Sequence, residues 1–237
     1  MALPMNETPV YTLEIPSTKT KVKYRPFLIK EEKALLIAQQ SEDSTVMVDS
    51  LKAVVKSCLK DEVDVDSFAT FDLEYVFTQI RAKSVGEIID LKLRCDDCTD
   101  ERAIATVFVD LTKLKVDIPT EHDNKINLFD DVGVVMKYPT IDVIKMFEVI
   151  DANDLDQVFD VVISCIDYIF TDKEIFYAKE QTKEELSKFL NNLTSEQFEK
   201  VQKFFETMPR LKQEIEYVCP VCSKKHNKVL EGLQSFF

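Results

Sequence analysis

The 237 residues are 45% hydrophobic, enough to bury a real core in one large domain or two small ones. A net charge of −13 argues against binding to phosphate backbones, and glycines only at 86, 133 and 232 exclude a P-loop or a GxGxxG turn. No apolar run reaches the roughly 20 residues of a membrane-spanning helix.

The first 21 residues lack the basic head and apolar core of a signal peptide, which predicts an intracellular protein with reduced cysteines. VYTLEIP (10–16) and KVKYRPF (21–27) alternate polar and apolar residues around Pro16, Ser17 and Thr18 and predict a β-hairpin. From Lys30, EEKALLIAQQ is rich in helix formers. A second helix is expected over about Thr45 to Leu59, with Val46, Val48, Leu51, Val54, Val55 and Cys58 near one face. Cys58 fits that stripe as a small packed hydrophobe.

SFATFDLEYVFTQIRAKS (67–84) predicts a third helix. Asp72 and Glu74 open it and Arg81 and Lys83 close it, matching the helix dipole. It is apolar on nearly all sides, as a central helix is, and Gly86 is expected to end it in the left-handed conformation. Residues 87–111 then read as strand, cysteine-bearing turn and returning strand, and 124–139 as another hairpin turning at Asp130 to Gly133.

Helices are expected to resume at Thr140 and run, with breaks, to about Met208. Thr182 with Glu185 and Thr194 with Gln197 have the spacing of capping boxes. Residues 141–170 carry seven acids against the single base Lys145, which reads as a solvated face or a docking surface for a basic partner. The segment 212–237 closes the chain as strand, cysteine turn, strand and apolar tail.

These elements predict an α+β fold that is mainly helical, with several β-hairpins. The expected divisions are a hairpin plus three-helix unit over 1–86, β-hairpins over 87–139, a helical subdomain over 140–209, and a C-terminal hairpin and tail over 210–237 packing back on 87–139.

Two hairpins carry paired cysteines, Cys95/Cys98 in CDDC and Cys219/Cys222 in CPVC. A tight turn between cysteines three apart lets both thiolates face one cation, and two such knuckles complete a tetrahedral Cys₄ shell. Proline after Cys219 pre-sets the turn dihedral, so CPVC is the stronger half. The 120 residues between the pairs (99 through 218) exceed the usual knuckle spacing, so the fold has to bring the hairpins together with the middle of the chain inserted. The favoured expectation is one structural Zn²⁺ per chain in a zinc-ribbon-like site. Other readings stay open: Cys219, Cys222 and His226 with one cysteine of the first pair, no metal at all, or a redox pair, although the last normally opens a helix after a strand. A full Cys₄ shell leaves no open position for chemistry.

The catalytic inventory is thin. His122 and His226 are the two histidines, and neither lies in an HExxH motif or beside a GxSxG elbow. No enzyme is expected. A zinc-ribbon regulator that binds nucleic acid is the alternative from another class. Lys224, Lys225 and Lys228 form only a small basic cluster, however, and the first knuckle is acidic.

RPFLIKEEKALLIA (25–38), FDLEYVFTQIRAKSVGE (71–87), the CxxC that follows and CPVC…LEGLQSFF (219–237) together resemble the baseplate hub assembly proteins of T-even-type contractile-tailed bacteriophages. The resemblance covers nearly the whole chain in the same order, and residues 71–87 are its most specific part. It implies a non-enzymatic role in building the central baseplate hub, as hub component or as assembly chaperone. It also implies hub or tail proteins as partners, and a place in the host cytoplasm during assembly or in the virion baseplate. Arg81 and Lys83 at the end of the third helix, and Phe236 and Phe237 in the tail, are candidate partner contacts, with capping and packing onto the domain as the plainer readings.

Overall fold

A computed structural model describes residues 7–41, 43–148 and 155–236. In chain order these form β1 (Tyr11–Glu14), β2 (Lys21–Tyr24), α1 (Ile29–Gln39), α2 (Ser44–Cys58), α3 (Thr70–Ser84), β3 (Ile88–Arg94), β4 (Ile104–Asp110) and β5 (Lys115–Asp117). There follow β6 (Lys125–Phe129), β7 (Val132–Met136), α4 (Ile141–Glu148), α5 (Leu155–Ser164), β8 (Ile166–Phe170), β9 (Ile175–Tyr177), α6 (Lys183–Asn191), α7 (Ser195–Glu206), β10 (Arg210–Val218) and β11 (Lys225–Glu231).

The fold is α+β, but the expectation that it is mainly helical is overturned. Among the described residues eleven strands in four sheets stand beside seven α-helices. The largest difference lies in 140–209, expected to be a helical subdomain with breaks, where β8 and β9 extend a four-stranded antiparallel sheet in the order β6-β7-β8-β9. Residues 158–170 are largely apolar, broken by Asp160 and Asp167, and such a stretch does not separate a buried strand from a buried helix. A break after Cys165 turns the second half into β8.

The chain divides into two compact units, Met1–Asp117 with Arg210–Phe237, and Ile118–Pro209. In the first, α3 is the central element: Phe71, Leu73, Val76, Phe77, Ile80 and Ala82 are all buried. Asp72 at its start is buried too, and accepts hydrogen bonds from the Ser17 backbone N–H (2.9 Å) and hydroxyl, which fastens the β1–β2 turn to the helix. Burial raises the Asp72 pKa, against the pull of those Ser17 bonds. Further along α3, Glu74 accepts from Leu233 N–H at 3.1 Å, docking the C-terminal turn. Gly86 follows the helix at φ +153°, outside the left-handed helical conformation expected for it but still in a region that favours glycine.

The β3–β4 ribbon and the three-stranded sheet β11-β10-β5 bury one common core of Ile89, Leu93, Val109, Leu111, Leu114, Leu211, Ile215 and Leu230. Alternation along each strand sends every second side chain into this core. On β3 the outward set is Ile88, Asp90, Lys92 and Arg94.

The second unit packs its sheet and helices around Leu128, Val134, Met136, Val161, Ile166, Leu190, Val201 and Phe204. Both capping boxes form: Thr182 Oγ1 accepts from Glu185 N–H, and Thr194 Oγ1 from Gln197 N–H. Gly133 lies inside β7 rather than in the turn. A Cβ there would stand 2.3 Å from Phe170 Cζ and 2.6 Å from Ile126 O. Of the acidic stretch, Asp142 pairs with Lys145 and Asp160 with Lys183, while Asp151 and Asp154 lie outside the described residues.

Candidate metal centre

Each knuckle grows from the end of a ribbon. Arg94↔Ile104 is the last pair of the β3–β4 ladder and Val218↔Lys225 the last of β10–β11. The next residue in each case is a cysteine whose backbone N–H closes the turn, Cys95 to Ala103 O at 2.8 Å and Cys219 to Lys224 O at 2.9 Å. In the CPVC turn Ser223 adopts φ 59° and Val221 N–H points at Cys219 Sγ, 3.4 Å away. The longer first turn is held by Asp100, which accepts from Arg102 N–H at 2.8 Å and pairs with its guanidinium.

The two turns meet. The four sulfurs of Cys95, Cys98, Cys219 and Cys222 all lie within 4.8 Å of one another, an arrangement that could hold a metal ion. Cys95 Sγ is 3.9 Å from Cys222 Sγ, and Cys98 Sγ is 3.8 Å from Cys219 Sγ. Zinc–sulfur bonds of about 2.3 Å at tetrahedral angles place sulfurs about 3.8 Å apart. These separations are far too long for disulfides, near 2.05 Å, and all six cysteines are free. Cys95 and Cys219 are buried, Cys98 is half-buried and Cys222 is exposed. Small Ala103 packs against the pair at the floor of the site.

The electrostatics suit a cation. Backbone N–H groups of Cys222 and Val221 aimed at Cys219 lower its thiol pKa to about 7. The adjoining Cys222 sulfur, with desolvation, raises Cys98 to about 12. Four sulfurs this close cannot all ionise without a compensating charge, and a bound metal supplies one by deprotonating coordinating thiols. Lys224 forms an ion pair with Asp97 across the two turns, so the acids of CDDC are partly a latch between knuckles.

The sequence leaves His226 open as an alternative metal ligand, four residues past Cys222. It is half-buried, with Nε2 at 3.2 Å from Cys95 Sγ and its ring stacked on Tyr217 at 5.0 Å. The available signal was its position in β11, directly opposite Tyr217 in the ladder. His122 sits among aromatics in the second unit: its ring nitrogens meet Thr207 Oγ1 at 3.0 Å and the Tyr138 hydroxyl at 3.1 Å, and Phe204 packs against the ring.

Of the candidate contact residues, Lys83 pairs with Glu87 and lies over the Tyr11 ring. Arg81 lines an open surface cavity of about 410 Å³ together with Val85, Gly86, Ile88 and Asp90. The last turn of the chain spans Leu233–Phe236. The Phe236 side chain and Phe237 lie outside the described residues.

The family model for the T4 bacteriophage base plate protein matches residues 8–237, and the chain belongs to that family. A structural or assembly role in the phage baseplate, and contact with other baseplate proteins, follow from membership. No curated protein and no solved structure matches the chain. Among the described residues no helix is long and apolar enough to cross a membrane.

Proposed function

We propose that this protein acts without catalysis in assembling the central hub of the baseplate, through contacts with hub or tail proteins during tail assembly in the host cell. Family membership over residues 8–237 supports the place. The observation that carries the mode of action is the outer face of the β3–β4 ribbon. Its inner face is core, yet on the other side Ile88 and Phe108 are 62% and 69% exposed and Ile104 is open, set among the charged Asp90, Lys92 and Arg94. Large apolar side chains left open among charged ones on a face whose other side is core give a mixed surface of the kind that protein contacts use. Arg81, at the edge of the same face, supplies a charged rim.

In this reading the four cysteines hold one structural zinc ion per chain. The ion fastens the C-terminal hairpin to the β3–β4 hairpin and keeps the ribbon rigid, as a contact surface needs. Soft thiolates in a tetrahedral set favour zinc over the hard cations.

The test is quantitative mass spectrometry of finished particles against tail-assembly intermediates. A fixed ratio to hub proteins in finished particles makes the chain a hub component. Abundance in intermediates with absence from particles makes it an assembly chaperone. Absence from both overturns the proposal.

A further inference from the structure

His226 touches the metal centre without belonging to the set of four. Its Nε2 gathers with Cys95 Sγ and an Asp97 oxygen within 4.8 Å, whereas the four sulfurs form their own set. Two protein ligands of one tetrahedral zinc, a ring nitrogen at about 2.0 Å and a sulfur at about 2.3 Å, stand about 3.5 Å apart. The observed 3.2 Å between Nε2 and Cys95 Sγ is within hydrogen-bond reach, the imidazole donating in its Nε2–H tautomer. Four sulfurs also fill four positions.

The ring is held for this contact by Tyr217, which is itself anchored. It stacks on Tyr217 with planes 20° apart, and the Tyr217 hydroxyl donates to Arg94 O at 3.1 Å. Arg94 is the residue before Cys95, so one short chain of contacts fixes ligand and imidazole together. A tetrathiolate zinc centre carries two negative charges, and Cys95 is only 2% exposed to the water that would otherwise solvate them. A fixed N–H donor at that sulfur offsets part of the cost, as hydrogen bonds to metal ligands do.

We infer that His226 is a positioning residue that donates its Nε2–H to the Cys95 thiolate and occupies no place in the metal shell. This rests on the reading of the four cysteines as a zinc site.

The test uses the full chain, titrated with Co²⁺ for its absorption spectrum and loaded with Zn²⁺ for competition against a chelator. H226F keeps a ring to stack on Tyr217 but loses the donor, while H226Q restores a side-chain N–H. H226N, polar but too short to reach the sulfur, replaces H226F if that variant does not fold. The expected result is an unchanged four-thiolate cobalt spectrum in H226F, zinc affinity lower by about 10–100-fold, and substantial recovery in H226Q. A cobalt spectrum that loses a nitrogen ligand in H226F makes His226 part of the shell and overturns the inference. Unchanged zinc affinity in H226F overturns it as well. Wild-type protein that binds neither metal is a different failure, because it removes the zinc reading itself.

Discussion

Cys95 Sγ and Cys222 Sγ lie 3.9 Å apart although 127 positions separate them in the sequence. Cys98 and Cys219 repeat the relationship at 3.8 Å. Two turns, each closed by its own backbone hydrogen bonds, thus present their sulfurs to one point, and the spacing is that of a tetrahedral metal shell. Replacing Cys219, the buried cysteine with N–H groups aimed at its sulfur, removes the sulfur best prepared to ionise. Cys219→Ser is expected to lose the metal and at least about 2 kcal/mol of stability, read by metal analysis and urea unfolding. Cys58→Ser, in the α2 stripe, is expected to keep its full metal content.

A buried ion pair elsewhere in the same unit sets an acid limit. Arg25 and Glu31 meet at 2.8 Å, with Ser57 hydroxyl and Leu28 N–H also donating to the Glu31 carboxylate. Burial by itself would raise the Glu31 pKa. The bonds from Arg25, Ser57 and Leu28 outweigh it and hold the group at about 2, below the ordinary 4.5. The sign follows: the stabilisation is complete above about pH 4.5 and is lost as pH falls toward 2. Glu31→Gln is expected to cost about 1–3 kcal/mol at neutral pH, because Arg25 loses its carboxylate but keeps its bonds to Pro26 O, Ser57 O and Ser57 Oγ. Its unfolding midpoint is also expected to fall less than that of wild type between pH 4.5 and 2.

In the second unit, Gly133 marks a close approach of chain to chain. Gly133→Ala would drive a methyl into the Phe170 ring and the Ile126 carbonyl. A loss of about 1–3 kcal/mol is expected from that overpacking. Adding Phe170→Leu is expected to restore part of it only, because the Ile126 carbonyl is backbone and stays in place. Denaturant unfolding of the single and double variants checks this.

The outer ribbon face separates stability from assembly. Phe108→Lys replaces a side chain that is 69% exposed and sets an opposite charge across the ladder from Asp90, so folding stability is expected to change by no more than about 0.5 kcal/mol. Incorporation into tail-assembly intermediates is expected to fall sharply. Thermal unfolding and a complementation assay with the variant gene measure the two effects side by side.

Features carried by a few neighbouring residues were legible in the sequence. The CxxC turns, the capping boxes at Thr182 and Thr194, and the central burial of α3 each follow from local spacing. What was not legible depended on partners distant in sequence. Residues 166–170 form β8 because β7 offers a ladder to join, not because their own pattern differs from a buried helix. Gly133 looked like a turn residue, and only the Phe170 ring across the sheet explains it. The role of His226 was open until the first knuckle, more than a hundred residues earlier, was found against it.

The most direct test of the central claim is the metal content of the full-length protein as purified, by native mass spectrometry with elemental analysis. One zinc per chain, lost together with thermal stability on chelation, is the predicted result. Metal-free protein that unfolds at the same temperature with or without added zinc, or a chain that carries iron instead, would contradict it.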